Sequence, residues 1–399
     1  MRKILSLFVV LSIVLVLPIS ALAGSENEKT DRKIVVFKSG VDDLTKDILI
    51  KQNNGVKVRD SKYDKDLKVV SLSDRDAGDL ANDPNILRVD NDILISINDK
   101  KNKKNKPVVP PAPPVQPTQI LPWGIDKVDA ELSWSKSTGS GVKVAVLDTG
   151  IDLTHPDLAA NIKGGFNTIN PASSANDDNG HGTHVAGIIG ALNNSIGVVG
   201  VAPNVSLYAV KALDKNGSGY LSDVIEGLDW AIANNMNIVN MSLGTNYDIP
   251  SFYDAIARAS NAGIVLVAAA GNDGGAVDYP AAYPGVMAVS ATDSSDAVTY
   301  WSSRGPEISL AAPGLNILST WKGGGYATVS GTSMSSPHVA GSAADLMASP
   351  VDPLYDANAN GVWDASEVKS KLEAKATDLG AIGFDILYGF GLVNIFNAL

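Results

Sequence analysis

From residue 142 onward, short apolar runs alternate with segments of helical period, and few folds accommodate that alternation. VKVAVLDTG (142–150), LYAVKAL (207–213), NIVNMSLG (237–244), GIVLVAAAGN (263–272) and VMAVSATD (286–293) read as strands. They lack the polar alternation of a half-solvated strand, so both faces must be buried. HGTHVAGIIGAL (181–192), LSDVIEGLDWAIANN (221–235) and SFYDAIARASNAG (251–263) read as helices between them. The order predicts an α/β fold, a doubly wound, mostly parallel sheet with helices on both faces. Such sheets bind ligands at the carboxyl ends of their strands. Residues that close a run therefore carry most weight, among them Asp148 and Asn272.

The 399 residues suffice for more than one domain. MRKILSLFVVLSIVLVLPISALAG begins with two basic residues, continues apolar and ends in the small-x-small triplet Ala21-Leu22-Ala23. It is expected to be a signal peptide over 1–23, the alternative being an uncleaved anchor. On the first reading the protein is exported and keeps no membrane anchor. The chain has no cysteine, so stability outside the cell must come from packing or bound metal. KIVVF (33–37), LKVVSL (67–72) and ILISI (93–97) suggest strands and DRDAGDLAND (74–83) a helix, giving a small α+β unit within 24–98. DKKNKKNKPVVPPAPPVQPT (99–118) cannot pack a core and is expected to be an extended linker open to proteolysis. Residues 1–106 carry 20 Lys and Arg against 16 Asp and Glu, and residues 107–399 carry 12 against 27. So acidic a main domain excludes nucleic acid as a partner.

SGTSMSSPHVAG (330–341) places Ser333 where a helix begins. A helix N-terminus favours the negative charge that develops in acyl transfer, although a tightly packed Ser/Ala/Gly helix needs no chemistry. His181 opens a helix between glycines and alone would be a packing residue. With His184 it could form a metal pair, but no HExxH glutamate accompanies them. Taken together the residues complete one another. Ser333 would be the nucleophile, His181 its base, and Asp148 the group that fixes the imidazole tautomer. Asn272 and the Ser333 N–H would bind the oxyanion, and Pro337 suits the first turn after the serine.

AVLDTGID, HGTHVAG and GTSMSSPHVAG, in that order, resemble the subtilisin-like serine proteases from about Gln119 to the C-terminus. The resemblance implies the subtilisin-like fold in 119–399 and serine endopeptidase activity. It also makes 24–98 a propeptide that assists folding and then inhibits, so the chain's partners are protein substrates and its own propeptide. A monomer is expected. Extended substrates would add as a strand beside Gly217-Ser218-Gly219 and Ser242-Leu243-Gly244, with Ala268 to Gly271 walling the P1 pocket. At the pocket base the family usually has a small or uncharged residue, whereas this chain has Asp278. It would admit Lys or Arg at P1, unless it points to solvent.

The resemblance also implies a calcium site in ALNNSIGVVGVAP (191–203). Its ligands would be the Asn194 side chain, the Leu192, Ile196 and Val198 carbonyls, Asp157 and Gln119. A second Ca²⁺ site is read without the family. DANANGVWDASE (356–367) fits the EF-hand loop D-x-[DN]-x-[DN]-G-x₅-E at every fixed position. Asp356, Asn358, Asn360, the Val362 carbonyl, Asp364 and Glu367 would be ligands. Pro350 and Pro353 argue against an entering helix, and the plain alternative is an Asn-rich loop before a helix.

Two other functions fit the sequence less well. An inactive scaffold or adhesion module conflicts with an intact set of chemical groups. An esterase of the α/β-hydrolase type needs G-x-S-x-G, and Ser335 stands where its second glycine belongs.

Overall fold

The computed structural model describes residues 31–97 and 116–399, so the expected signal peptide and most of the linker lie outside the described residues. Strands β1 (Asp31–Phe37), β2 (Val56–Asp60), β3 (Leu67–Leu72) and β4 (Ile86–Asn91) form an antiparallel sheet in the order β2-β3-β1-β4. Helices α1 (Asp43–Gln52) and α2 (Asp74–Ala81) belong to the same unit, capped by Asp42 and Ser73. The consecutive apolar residues of KIVVF now have a reason. Val35, Phe37, Val70 and Leu72 join the unit's own core, while Ile34, Leu67 and Val69 join the main domain's.

One expected strand of this unit is elsewhere. Within ILISI, β5 (Leu94–Ser96) leaves the N-terminal sheet and pairs with β9 (Ser218–Tyr220) of the main domain. Strands β2 and β4 fill the sheet instead. Their polar sequences, VKVRD and ILRVDN, gave no apolar signal because β2 is largely exposed and β4 half-buried.

After α3 (Trp123–Lys127) and α4 (Ala130–Ser133), the main domain contributes β6 (Lys143–Asp148), β7 (Ile162–Asn167), α5 (His181–Gly190) and β8 (Ser206–Lys211). Beyond β9 come α6 (Leu221–Ala233), β10 (Ile238–Met241), α7 (Pro250–Asn261), β11 (Val265–Ala269) and β12 (Val286–Thr292). β13 (Ile308–Pro313), β14 (Ile317–Trp321), β15 (Gly325–Val329), α8 (Thr332–Met347), α9 (Ala365–Lys375) and α10 (Ile395–Ala398) complete it.

Seven parallel strands run in the order β13-β12-β11-β10-β6-β8-β7, which is the doubly wound arrangement the alternation predicts. The edge strands β7 (IKGGFN) and β13 (ISLAAP) were not legible: one is interrupted by glycines, the other ends in proline. The order reverses about β6, so a crevice opens at its carboxyl end. One core fills the α5/α8 face and a second the α6/α7 face.

The N-terminal unit docks on α6 and α7 through charge. Asp92 accepts from the Ser222 N–H (2.8 Å) near the start of α6, and Asp90 from the Ser251 N–H (3.0 Å) near the start of α7. Both carboxylates thus satisfy orphan helix donors. Arg32 pairs with Asp92 (2.9 Å) and Arg59 with Asp223 (2.7 Å). Burial pushes the Asp223 and Asp229 carboxyls up to about 6 despite Arg59 and Arg258 beside them.

Candidate active site

Asp148 is the last residue of β6 and fully buried. The Thr149 N–H donates to its Oδ1 (2.7 Å). His181 is the first residue of α5, and its Nδ1 lies 2.8 Å and 3.0 Å from the two Asp148 oxygens. With Nδ1–H donating to the carboxylate, Nε2 keeps a lone pair and can serve as base. Gly182 allows this approach, since a Cβ there would stand 2.1 Å from the Gly150 carbonyl oxygen and 3.1 Å from Asp148 Cβ.

Asp177, which the sequence reading missed, holds the start of α5. It accepts from the Gly180 and Thr183 N–H groups (2.9 and 3.0 Å) and from the Thr183 and Thr149 hydroxyls (2.6 and 2.9 Å). An acidic residue four positions before a helix-opening histidine was the available signal. His184 plays no part with His181. Its Nε2 lies 3.1 Å from both the Ile317 and Ala327 carbonyl oxygens, and burial lowers its pKa to about 3. It is a neutral packing residue.

Ser333 is the second residue of α8, whose first turns pack against α5. Its hydroxyl donates to the Ser242 carbonyl at the end of β10 (3.2 Å). The Ser242 hydroxyl donates in return to the Ser333 carbonyl (2.9 Å), and Asn240 Nδ2 donates to Ser242 Oγ (2.9 Å). Pro337, expected in the first turn after the serine, stands four residues beyond it as the sixth residue of α8. Having no N–H, it cannot bond the carbonyl four residues back, which belongs to Ser333. That carbonyl is therefore free for Ser242, and the serine is tied to the sheet.

Asn272 follows β11. Its Oδ1 accepts from the Thr332 N–H (2.9 Å) and hydroxyl (3.0 Å), which fixes the amide at the start of α8. A Cβ built on Gly331 would stand 3.4 Å from Asn272 Nδ2 and 3.7 Å from the Ser333 N, so the two expected oxyanion donors flank one spot. Ala268 is buried on β11 and Gly271 has φ +115°. A Cβ on Gly271 would lie 2.7 Å from Asp278 Oδ2, so that carboxylate faces the Ala268–Gly271 wall.

The expected substrate edges converge on β5. Leu94, Ile95 and Ser96 pair with Tyr220, Gly219 and Ser218, and the Ile97 N–H donates to the Gly217 carbonyl (3.0 Å). On the other side Ser96 bridges Gly244, whose N–H donates to its carbonyl (3.1 Å). Leu243 is buried in the core, so only its backbone borders the groove.

Among the described residues, no cluster of three or more His, Cys, Asp or Glu is placed to hold a metal. The residues of 191–203 fit a cation differently. Asp157 is buried with no cationic partner among the described residues, and burial raises its pKa to about 6. The Leu192 and Val198 carbonyls both meet the Gln119 amide (2.8 and 3.3 Å), and Asn194 Nδ2 donates to Asp157 (2.8 Å). Turned to present their oxygens, these two amides would complete with the Asp157 carboxylate and the carbonyls an all-oxygen set of the kind Ca²⁺ takes. In 356–367, Asp356 accepts from the Asn360 and Gly361 N–H groups (3.0 Å each), and Gly361 has φ +75°. Glu367 accepts from the Ala357 and Asp364 N–H groups (2.8 and 3.0 Å). No helix enters this loop, since α8 ends at Met347.

Comparison with known proteins agrees with this architecture. The subtilase family profile matches residues 139–391. The thermostable alkaline protease of Halalkalibacterium halodurans is 49% identical over 279 residues, 69% of this chain and 73% of the relative. Subtilisin Savinase of Lederbergia lenta is 47% identical over 278 residues, 69% of this chain and 97% of the relative. Subtilisin E of Bacillus subtilis is 38% identical over 386 residues, 94% of this chain and 92% of the relative, a match that reaches into the N-terminal unit. A parallel sheet with a buried Asp–His pair at its switch point, and a family match over most of the chain, lead to one conclusion: the protein belongs to the subtilase family of serine endopeptidases.

Proposed function

We propose that the protein is an exported endopeptidase of broad specificity, made as a self-processing zymogen, with Asp148, His181 and Ser333 as its triad. The observation that carries this reading is a strand of the chain's own N-terminal unit, Leu94–Ser96, lying between the 217–219 and 242–244 edges. An extended substrate would bind there by main-chain hydrogen bonds, largely regardless of its sequence. The same occupancy makes the N-terminal unit a product-like inhibitor. The basic-apolar-small N-terminus supports export. Among the described residues no helix is long and apolar enough to cross a membrane.

In the reaction, His181 Nε2 takes the Ser333 proton as Oγ attacks the scissile carbonyl, while Asp148 holds the Nδ1–H and stabilises the imidazolium. Asn272 Nδ2 and the Ser333 N–H receive the oxyanion at the positive end of α8. His181 then gives its proton to the departing amine, and water hydrolyses the acyl-enzyme by the same route. Asp278 would add acceptance of basic P1 side chains. Ca²⁺ at Asp157, Gln119, Asn194 and the 192, 196 and 198 carbonyls, and at 356–367, would stabilise the fold and take no part in the chemistry.

The Ser333→Ala variant tests the assignment. It should lose peptide hydrolysis by about 10⁶-fold, the size known for subtilisin itself, and should accumulate unprocessed. Normal turnover in the variant would end the assignment.

A further inference from the structure

Lys211, the last residue of β8, is buried beside the reacting groups, and the chemistry above gives it no task. It stands in register with Asp148 on the neighbouring strand. An ammonium has three N–H donors and no acceptor. All three are used, since Nζ donates to the Thr149 carbonyl (2.7 Å), the Leu213 carbonyl (2.9 Å) and Asp178 Oδ1 (2.7 Å).

Each acceptor belongs to a different part of the site. Thr149 follows Asp148, and its hydroxyl donates to Asp177 (2.9 Å) and accepts from the Gly182 N–H (2.9 Å). Asp178 lies in the loop that leads into His181. Leu213 enters the turn that carries the 217–219 edge, where the Asp214 N–H donates to the Ser218 carbonyl (2.8 Å) and the Gly217 N–H to the Asp214 carbonyl (2.9 Å).

We propose that Lys211 is a positioning residue of the reaction: its ammonium locks acid, base and substrate edge together, and its charge sets the pH at which His181 becomes a base. This rests on the endopeptidase reading above. A buried cation opposes a second positive charge on the imidazole, with little screening by water. Asp178 acts in the opposite sense but more weakly, because its side chain is 53% exposed. The other titratable groups that meet here do not replace the lysine. Asp148 holds His181 directly, and Asp177 accepts from hydroxyl and N–H groups. Asp152 and Asp214 accept from nearby backbone N–H groups, and His184 is neutral. Lys322 is exposed and donates to the Asp178 carbonyl (2.6 Å). Among the described residues of 116–399, the other buried lysine is Lys371, paired with Asp352 before α9.

The test compares the pH dependence of kcat/KM for one short peptide in the matured wild type, Lys211→Met, Lys211→Arg and Asp178→Asn, at low salt. Lys211→Met keeps the apolar stem and loses the charge. His181 then takes up a proton more readily, so the acid limb should move up by about half a pH unit, and the plateau should fall by about tenfold or more. Lys211→Arg keeps the charge without the same three contacts, so its plateau should fall while its limb stays. Asp178→Asn removes a negative charge and should move the limb down by about 0.2 unit. A lysine with a structural role alone would lower the rate and leave every limb in place. Limbs of Lys211→Met and Asp178→Asn that stay within about 0.1 unit of wild type, or move the same way, overturn the proposal and leave the protease reading intact. Should Lys211→Met fail to mature, the other two variants decide. A lowered plateau with an unmoved limb in Lys211→Arg and a lowered limb in Asp178→Asn support the proposal, and failure of either overturns it. Full activity in His181→Ala would instead overturn the protease reading.

Discussion

Replacing Ser242 with alanine should damage the nucleophile without touching it. The substitution deletes the hydroxyl that donates to the Ser333 carbonyl, to which Pro337 four residues on offers no N–H, and it strands the Asn240 amide. Both Asn240 and Ser333 are buried. Each orphaned group costs about 1–3 kcal/mol, so Ser242→Ala should destabilise by about 2 kcal/mol or more. A shift of the serine by a fraction of an ångström should also lower kcat, by up to about 10²-fold, with little change in KM. Pro337→Ala supplies an N–H four residues beyond Ser333 and can satisfy the same carbonyl from within the helix. The double variant should therefore be less destabilised than the sum of the singles, by about 1–3 kcal/mol. The assay is guanidinium unfolding of all four proteins in the Ser333→Ala background, which prevents self-digestion, with kcat measured separately in active versions. Additivity within about 0.5 kcal/mol would refute the exchange of donors between Ser242 and position 337.

Four further outcomes are expected. Asp345 is buried in α8 with the Ser133 hydroxyl as partner, and burial raises its pKa to about 8. An acid whose folded pKa exceeds its unfolded value near 4 binds more protons when folded, so stability falls as pH rises between about 4 and 8. Asp345→Asn should remove that decline, and unchanged pH curves for the two proteins would refute it. Asp92→Ala should shorten the lag before activity by freeing the start of α6, worth about 1 kcal/mol of capping, and an unaltered lag would contradict the docking role. Asp278→Ser should lower kcat/KM for Arg relative to Phe at P1 by about tenfold, or about 1.4 kcal/mol, and a constant ratio would remove Asp278 from specificity. Glu367→Gln should shrink the Ca²⁺-dependent rise in Tm, whereas an equal rise in both proteins would place the stabilising ion elsewhere.

The sheet was legible because parallel strands are buried on both faces and so announce themselves as unbroken apolar runs. β7 escaped because it is largely exposed and needs glycine where a Cβ on Gly165 would meet the Ala209 carbonyl oxygen at 2.2 Å, and β13, though buried throughout, closes on a proline. ILISI shows the limit of pattern: its strand character is right, but its partner lies in another part of the fold. Asp148, His181, Ser333 and Asn272 were legible because each closes a strand or opens a helix at the switch point. The residues that hold them were not. Asp177, Thr332 and Ser242 act through several hydrogen bonds each, to partners far off in sequence or to local backbone, and a lone Asp, Thr or Ser in a polar stretch has many other uses.

The proposed chemistry requires Ser333 Oγ to be the atom that is acylated. Labelling the mature enzyme with a sulfonyl fluoride while following activity, and mapping the adduct by peptide mass, tests this most directly. One adduct per chain on Ser333, formed in step with loss of activity and abolished in His181→Ala, is the predicted result. Complete inactivation with Ser333 unmodified, or with the adduct on another hydroxyl, would contradict it.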